Sequence, residues 1–130
     1  MGRDDDSEYT NISVSEPFMN ADKVVFYKIV AYDIEGEFKC HRRYTDFDVL
    51  REAWKKRLPG LFIPSLPPKK IFGNTEQAHL ELRSFALEQF LRRVYKIPYL
   101  IASEEFQIFS RFEPKGQQGT LKKQFEALAE

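Results

Sequence analysis

Residues 42–47 read Arg-Arg-Tyr-Thr-Asp-Phe and lie where one sequence pattern gives way to another. Before them, residues 37–42 alternate between polar and apolar side chains, which is typical of a β-strand. After them, large apolar residues recur at the spacing of one helical face, and these are Phe47, Leu50, Trp54 and Leu58. The stretch therefore predicts a strand-to-helix junction that carries two guanidinium groups and a phenol.

The side chains at this junction suit a phosphorylated ring. An arginine fork binds phosphate in a bidentate way and stays charged at any relevant pH. A tyrosine can cover the flat side of a ring while its hydroxyl reaches a partner. Paired arginines at a strand end are also typical of a solvated surface. On these six residues alone the surface interpretation is favoured, so the rest of the chain has to decide.

The composition fits one domain with a substantial core. The chain has 130 residues, with 12 Phe, 6 Tyr and 1 Trp to fill its interior. Cys40 is the only cysteine, which excludes an internal disulfide and indicates a reducing, intracellular compartment. No apolar run approaches the roughly 20 residues that span a bilayer. We therefore expect any contact with a membrane to be made from the side.

The charge is balanced overall but not along the chain. Twenty basic residues face 20 acidic ones, which argues against indiscriminate nucleic-acid binding. Residues 1–22 hold one basic and six acidic side chains, whereas residues 39–70 hold nine basic and three acidic ones. A basic centre inside a neutral chain predicts a local site for an anion.

The first third of the chain carries three strand patterns. They lie at residues 9–14, 24–32 and 37–42, and turn-forming residues separate the second from the third. This order predicts a three-stranded antiparallel β-meander.

Helix patterns follow the strands. Thr45 is a suitable N-cap for the first helix, and Ser103 is a suitable N-cap for a later one. Between them, the longest pattern begins at Asn74 or Thr75 and runs to about Lys96. The predicted fold class is therefore α+β, with the meander followed by a bundle of three to four helices. A proline-rich loop lies between the first two long helices.

That loop, residues 61–72, contains three prolines, which exclude a helix interior and predict an extended, polyproline-like segment. It ends in two lysines and two large apolar residues: Lys69, Lys70, Ile71 and Phe72. The apolar pair either packs into the core or enters lipid while the lysines meet anionic head groups. Residues 64–67 also match a proline motif that an SH3 domain can dock on, although this pattern is common.

The longest helix pattern places Arg83 inside its own apolar stripe. The stripe consists of Leu80, Leu87, Phe90, Leu91 and Val94. An unpaired buried charge is very costly, so Arg83 needs a partner. An ion pair with Asp46 or Glu76, an extended side chain at the stripe's end, and a ligand at the edge of a cleft all satisfy this need.

Three separated motifs together resemble the Phox homology (PX) domain, most closely that of sorting nexins. They are residues 42–47, the run Leu66-Pro67-Pro68-Lys69, and Arg83 followed by residues 87–91. The resemblance covers about residues 9–113. It implies a small α+β domain that binds phosphoinositides, most often phosphatidylinositol 3-phosphate on the cytosolic face of endosomes.

The resemblance also implies a role for each motif residue. Arg43 would grip the 3-phosphate and Tyr44 would pack against the inositol ring. Lys69 would meet the 1-phosphate, and Arg83 would bond the ring hydroxyls at positions 4 and 5. Thr45 departs from those members that carry a second basic residue there, which implies a weaker grip on the 3-phosphate.

Lys70, Ile71 and Phe72 match the family's loop that dips into the bilayer. The implied organisation is a disordered acidic N-terminus at 1–8, a PX domain at 9–113, and a linker with the start of a further helix at 114–130. We therefore expect the chain to be part of a larger protein that serves sorting and trafficking.

Other function classes fit less well. His41 and His79 have no companion motif for catalysis, so we predict no enzyme, no cofactor, no metal and no small-molecule substrate. Nucleic-acid binding is disfavoured by the overall neutrality. The stronger alternative is a protein-binding module that uses the domain surface or the proline-rich loop and binds little lipid.

Overall fold

The computed structural model describes residues 11–33, 36–67, 77–111 and 120–129. Three strands come first, namely β1 (Asn11–Met19), β2 (Val25–Asp33) and β3 (Gly36–Arg43). The helices follow as α1 (Tyr44–Arg57), α2 (Gln77–Val94), α3 (Pro98–Ile101), α4 (Glu104–Arg111) and α5 (Thr120–Ala129). The α+β class, the meander and the proline-rich segment between α1 and α2 are confirmed.

The three strands form one antiparallel sheet in the order β1-β2-β3. Ile29 of β2 pairs with Val14 on one side and with Cys40 on the other, and all three side chains are buried. Because side chains alternate between the two faces of a strand, this row marks the face on which the helices pack. Cys40 thus points inward and packs in the core.

The first strand is longer than its sequence pattern predicts. It continues past Val14 to Met19, and its register with β2 shifts between Ser15 and Phe18. Pro17 lies in that shift. Proline cannot donate to a ladder of hydrogen bonds, so it is tolerated in an edge strand at a bulge. The predicted end at Val14 was wrong because a proline inside a strand pattern normally argues against the strand.

Two side chains of α2 bond to the outer edge of β1. Glu88 accepts a hydrogen bond from the Val14 backbone amide through Oε1 at 3.0 Å. Arg92 donates to the Ile12 carbonyl at 2.9 Å and also pairs with Glu88 at 3.1 Å. The long helix is therefore attached to the sheet by hydrogen bonds as well as by its apolar stripe.

The strand-to-helix junction contains no connecting residue. Arg43 ends β3 in an extended conformation and is also the N-cap of α1, which begins at Tyr44. The prediction of Thr45 as the N-cap was wrong, since Thr45 lies in the first turn and is exposed. The Asp46 carboxylate instead reaches back and accepts the Arg43 backbone N–H at 3.0 Å. The acidic residue in the first turn thus stabilises the helix start.

Arg42 faces the interior, opposite to its neighbour Arg43. Its side chain is buried, and its Nε and an Nη donate to the Phe109 carbonyl at 2.9 and 2.7 Å. A further Nη bond reaches the Ile108 carbonyl at 3.3 Å, and the guanidinium lies 5.2 Å from the Phe109 ring centroid. The last carbonyls of a helix have no partner within it, so Arg42 satisfies the end of α4.

Ser103 caps α4 as predicted and also connects it to α1. Its Oγ accepts the Phe106 backbone N–H at 3.2 Å and the Trp54 indole N–H at 2.8 Å. The Trp54 and Phe106 rings stack with their centroids 6.3 Å apart. One hydroxyl therefore serves both a helix terminus and the largest buried side chain of the core.

The final helix packs back onto the rest of the fold. Leu121 and Phe125 of α5 are buried, and α5 contacts both α1 and α4. Arg57 donates to the Leu128 carbonyl at 2.9 Å and pairs with the buried Glu105 at 3.0 Å. The helix pattern at the end of the chain is thus observed as part of this packed structure.

Several predictions fall on residues outside the described ranges. These are the N-terminal segment 1–8, the start of the long helix at Asn74 or Thr75, and the linker at 114–119. The long helix ends at Val94, two residues before the predicted Lys96, because the chain turns there into the short α3. The domain bounds 9–113 stay a prediction.

Replacing Arg42 tests its structural role. We expect Arg42→Ala to lower the free energy of unfolding by about 2–4 kcal/mol, because it leaves buried carbonyls unpaired and a void beside Phe109. Urea denaturation measures the change, with the exposed strand neighbour Lys39→Ala as the matched control. Equal stability of the two variants would contradict the role that we assign to Arg42.

A second pair of substitutions compares the two residues that the sequence predicts as N-caps. Ser103→Ala should cost about 1–2 kcal/mol, since it removes a cap and the acceptor of the Trp54 indole. Thr45→Ala should stay within about 0.5 kcal/mol, because the exposed hydroxyl does not cap α1. Thermal unfolding followed by circular dichroism compares them, and a larger loss for Thr45→Ala would restore the sequence-based assignment.

Candidate functional site

Arg43 is the member of the arginine pair that remains at the surface. Its side chain is 23% exposed, and its Nε lies 3.7 Å from an Asp46 carboxylate oxygen. It stands at the N-terminal end of α1, where the helix dipole favours negative charge. A phosphate at this position would meet the guanidinium and the helix terminus together. Arg42 takes no part, because its guanidinium is bound to α4.

Tyr44 belongs to the site, and its hydroxyl is fixed by a hydrogen bond. Its hydroxyl donates a hydrogen bond to the Pro67 carbonyl at 2.6 Å. Burial and the nearby Asp48 carboxylate raise the pKa of the Tyr44 hydroxyl, and the charges of Arg83 and Arg51 partly oppose that rise. The hydroxyl consequently stays protonated at neutral pH and remains a donor to the proline-rich segment.

Arg83 reaches the site from α2. Its guanidinium carbon lies 5.2 Å from the centroid of the Tyr44 ring, which is the geometry of a cation–π contact. The stripe around it is buried as predicted at Leu87, Phe90, Leu91 and Val94, and Leu80 is half-buried. Asp46, one of the proposed ion-pair partners, pairs with Arg43, and Glu76 lies outside the described residues. The structure thus brings Arg83 to the ring of Tyr44.

Tyr27 is a neighbour of Arg83 that the sequence analysis missed. It is fully buried on the inner face of β2, and it pairs in register with Arg42. Burial raises the pKa of the Tyr27 hydroxyl, and the adjacent Arg83 guanidinium lowers it in part. The alternation of residues 27, 29 and 31 would have placed Tyr27 inward. Nothing in the pattern shows which helix supplies the polar neighbour of its hydroxyl.

Three side chains hold the proline-rich segment against the helices by its carbonyls. Besides the Tyr44 bond to Pro67, Arg51 donates to the Pro64 carbonyl at 2.7 Å, and Tyr99 donates to the Phe62 carbonyl at 2.9 Å. Proline-rich backbone has carbonyls without helical or sheet partners, so side-chain donors can bind them. The segment therefore runs beside α1 toward the site.

Four predicted site residues lie outside the described residues. They are Lys69, Lys70, Ile71 and Phe72. Lys69 follows Pro67 by two residues, which is about 7 Å of extended chain at most. The Tyr44 bond thus fixes Pro67, the last described residue before Lys69. Of the predicted phosphoinositide contacts, the structure brings Arg83 to the ring of Tyr44, and Arg43 precedes Tyr44 in the chain.

The described residues contain neither a metal site nor a membrane-spanning helix. Among the described residues, no cluster of His, Cys, Asp and Glu side chains has the arrangement of a metal site. In the same ranges, no helix combines the length and the apolar character that crossing a bilayer demands. The described chemistry at the junction is two guanidinium groups and a phenol, which can bind an anionic ring by charge, hydrogen bonds and stacking.

Comparison with known proteins gives a consistent assignment. The family model for the PX domain matches residues 30–113. Sorting nexin-8 of Bos taurus is 31% identical over 111 residues, which cover 83% of this chain and 24% of that protein. Sorting nexin-17 of Danio rerio is 39% identical over 93 residues, covering 70% of this chain and 19% of that protein. The chain thus spans about a quarter or less of these relatives.

Solved structures show the same fold. The X-ray structure of a designed CISK-PX domain has a TM-score of 0.68 and 32% identity, and the match covers 77% of this chain and 97% of that one. The tandem PX-PH domains of Bem3 from Saccharomyces cerevisiae match with a TM-score of 0.51 at 19% identity, over 72% of this chain and 45% of that one. The family match, these relatives and the fold agree, and the chain belongs to the PX domain family.

Proposed function

We propose that this PX domain binds a phosphoinositide head group and thereby brings its protein to a membrane from the side. The preferred lipid is phosphatidylinositol 3-phosphate, and the membrane is the cytosolic face of endosomes. The observation that carries the proposal is the placement of the Arg83 guanidinium over the ring of Tyr44, the residue that follows Arg43 in the chain. Membership in the PX family supports a phosphoinositide-binding module of membrane trafficking.

Each contact has a physical reason. Arg43 stands at a helix N-terminus and offers a bidentate fork to the 3-phosphate. Tyr44, fixed by its bond to Pro67, offers a rigid face to the inositol ring. Arg83 then donates to the ring hydroxyls at positions 4 and 5, and Lys69 meets the 1-phosphate. Phosphate binding would weaken the contact between Asp46 and Arg43. The loss in free energy would be small, because a partly exposed ion pair at 3.7 Å is weak.

The charges around the site favour a lightly phosphorylated ring. Arg43, Arg83 and Arg51 face Asp46, which contacts Arg43, and Asp48, which lies near Tyr44. These five side chains leave a net charge of one positive unit, which is little for a ring with several phosphates. If Arg83 bonds the ring hydroxyls, phosphates at those positions would also crowd it. Both arguments support phosphatidylinositol 3-phosphate over its more highly phosphorylated relatives.

The residues after the proline-rich segment supply the second half of the proposal. Lys70 would meet anionic head groups, and Ile71 and Phe72 would enter the acyl region. The structure supports this only through the position of Pro67, which is bound beside the site. Head-group binding and loop insertion would then act on the same patch of membrane.

The similarity to sorting nexins supports a role in protein sorting for the protein that contains this domain. PX domains are generally lipid-binding modules, which supports a function without an enzymatic step. A protein-binding module with little affinity for lipid is the alternative function. The contact of Arg83 with the ring of Tyr44, next to Arg43 in the chain, favours lipid.

Sedimentation with vesicles tests the pocket. We expect the wild type to bind neutral vesicles that contain phosphatidylinositol 3-phosphate, and Arg43→Ala and Arg83→Ala to weaken binding at least about tenfold, since each removes a charge-assisted contact. Arg93→Ala, on the exposed side of the same helix as Arg83, is the matched control.

The lipid panel decides the specificity. Vesicles carrying each singly and multiply phosphorylated phosphoinositide are compared in the same assay. Equal binding to all of them would reject the preference for the 3-phosphate while keeping the pocket. A folded wild type that bound none would reject the lipid proposal and favour the protein-binding alternative.

A double substitution tests the membrane loop. Ile71→Asp with Phe72→Asp should abolish binding to vesicles but preserve binding to a soluble short-chain phosphatidylinositol 3-phosphate, because the head-group contacts stay intact. The matched control is Leu82→Asp with Phe85→Asp, a pair of exposed apolar residues on α2. Loss of the folded structure, seen by circular dichroism, would instead assign Ile71 and Phe72 to the core.

A further inference from the structure

An open cleft lies at the other end of α1 from the head-group site. Its volume is about 490 Å³, and it lies between the last two turns of that helix and residues 58–63. Arg51 and Lys55 line it from the helix side. Leu61 and Phe62 line it from the loop side, with 46% and 67% of their surfaces exposed. We call this cleft the α1 groove.

The apolar side of the α1 groove is exposed although its backbone is fixed. The Leu61 N–H donates to the Leu58 carbonyl at 3.2 Å across Pro59 and Gly60. Gly60 has a φ of 87°, so this is a type II turn with proline and glycine at its two central positions. A residue with a side chain at position 60 would be strained, and the turn therefore depends on Gly60.

The backbone of Phe62, the residue after this turn, is fixed as well. The Tyr99 hydroxyl donates to the Phe62 carbonyl at 2.9 Å, and Arg51 donates to the Pro64 carbonyl at 2.7 Å. Tyr99 is itself 40% exposed, which extends the apolar surface beside Phe62. Because the backbone is already ordered, a ligand that covers Phe62 would not have to pay the conformational entropy of ordering this loop.

The charges that line the α1 groove are of one sign. Arg51 and Lys55 are its charged lining residues, and both are basic. Lys55 also contacts Glu52 at 3.4 Å, but the two side chains are 51% and 55% exposed. An ion pair this exposed is weak and is screened by salt, so Lys55 is available to a stronger anionic partner. The groove thus combines an apolar loop side, at Leu61 and Phe62, with a basic helix side, at Arg51 and Lys55.

The α1 groove is separate from the head-group site. Leu58 follows Tyr44 by 14 positions along α1, which corresponds to about 21 Å along the helix axis. A ligand in the groove would not touch Arg43 or Arg83. Arg51, which lines the groove, also acts by its charge on Tyr44, but an inference about the groove does not rest on the lipid proposal.

We propose that the α1 groove docks an acidic peptide segment of a partner protein. An aromatic or aliphatic side chain of the peptide covers Leu61 and Phe62, and its carboxylates meet Arg51 and Lys55. The open cleft of about 490 Å³ has room for a few side chains. Its two basic side chains are few for attraction to a lipid surface.

Nuclear magnetic resonance titration with defined peptides tests the proposal. The first probe is a short peptide of Glu and Asp with a central Leu-Phe pair. The second replaces the acidic residues with Lys, and the third replaces Leu-Phe with Ser-Ser. We expect the first probe to shift the amide signals of residues 58–63 at concentrations up to about 1 mM. The other two should bind much more weakly.

Matched variants locate the contact on the protein. Phe62→Ser should weaken the first probe at least about tenfold, as loss of a central aromatic contact commonly does. Lys55→Glu should weaken it by a similar factor, because it reverses a charge on the helix side of the groove. The controls are Phe85→Ser and Lys123→Glu, which change an exposed aromatic residue and an exposed lysine elsewhere. They should leave the affinity unchanged.

Three results would overturn the proposal. The first is equal binding of the acidic and the basic probe, or no binding of either. The second is a set of shifts around Arg43 and Arg83 with none at residues 58–63. The third is a loss of sedimentation with phosphatidylserine vesicles on Phe62→Ser, which would make the surface a membrane contact. Binding of Phe62→Ser and Lys55→Glu to phosphoinositide vesicles, measured separately, should equal that of the wild type.

Discussion

The buried guanidinium of Arg42 joins the end of the sheet to the end of the helical layer. Its hydrogen bonds to the Phe109 and Ile108 carbonyls satisfy the C-terminus of α4 and hold the last residues of β3 against it. Since side chains alternate along a strand, an inward Arg42 requires an outward Arg43. The direction of the candidate binding residue thus depends on a neighbour that itself contacts no ligand.

The candidate site is assembled where four parts of the chain meet. Tyr27 from the sheet lies beside Arg83 from α2, Arg83 lies over Tyr44 from α1, and Tyr44 bonds to Pro67 of the proline-rich segment. Each of these contacts joins residues far apart in sequence. A substitution at any of these residues would therefore disturb more than one contact. Removal of the Tyr44 ring, for example, would abolish both its contact with Arg83 and its bond to Pro67.

Local patterns in the sequence were enough to predict the meander, the proline-rich segment, the buried face of α2 and the Ser103 cap. The roles predicted for Arg43, Tyr44 and Arg83 came from the resemblance that three ordered motifs carry, and they stay predictions. The errors have physical causes. Pro17 concealed a bulged strand, and Asp46 rather than Thr45 supports the start of α1 because strand and helix share Arg43. The separate roles of the two adjacent arginines, like the bond from Tyr44 to Pro67, depend on tertiary contacts that no local pattern encodes.

The attachment of α2 to β1 has a consequence for self-association. An edge strand normally offers a row of amides and carbonyls to any extended chain that approaches it. Here the Val14 amide is bound by Glu88 and the Ile12 carbonyl by Arg92. An incoming strand would have to displace both side chains to pair at these positions. This helix-to-edge contact therefore protects β1 from strand addition at these two positions.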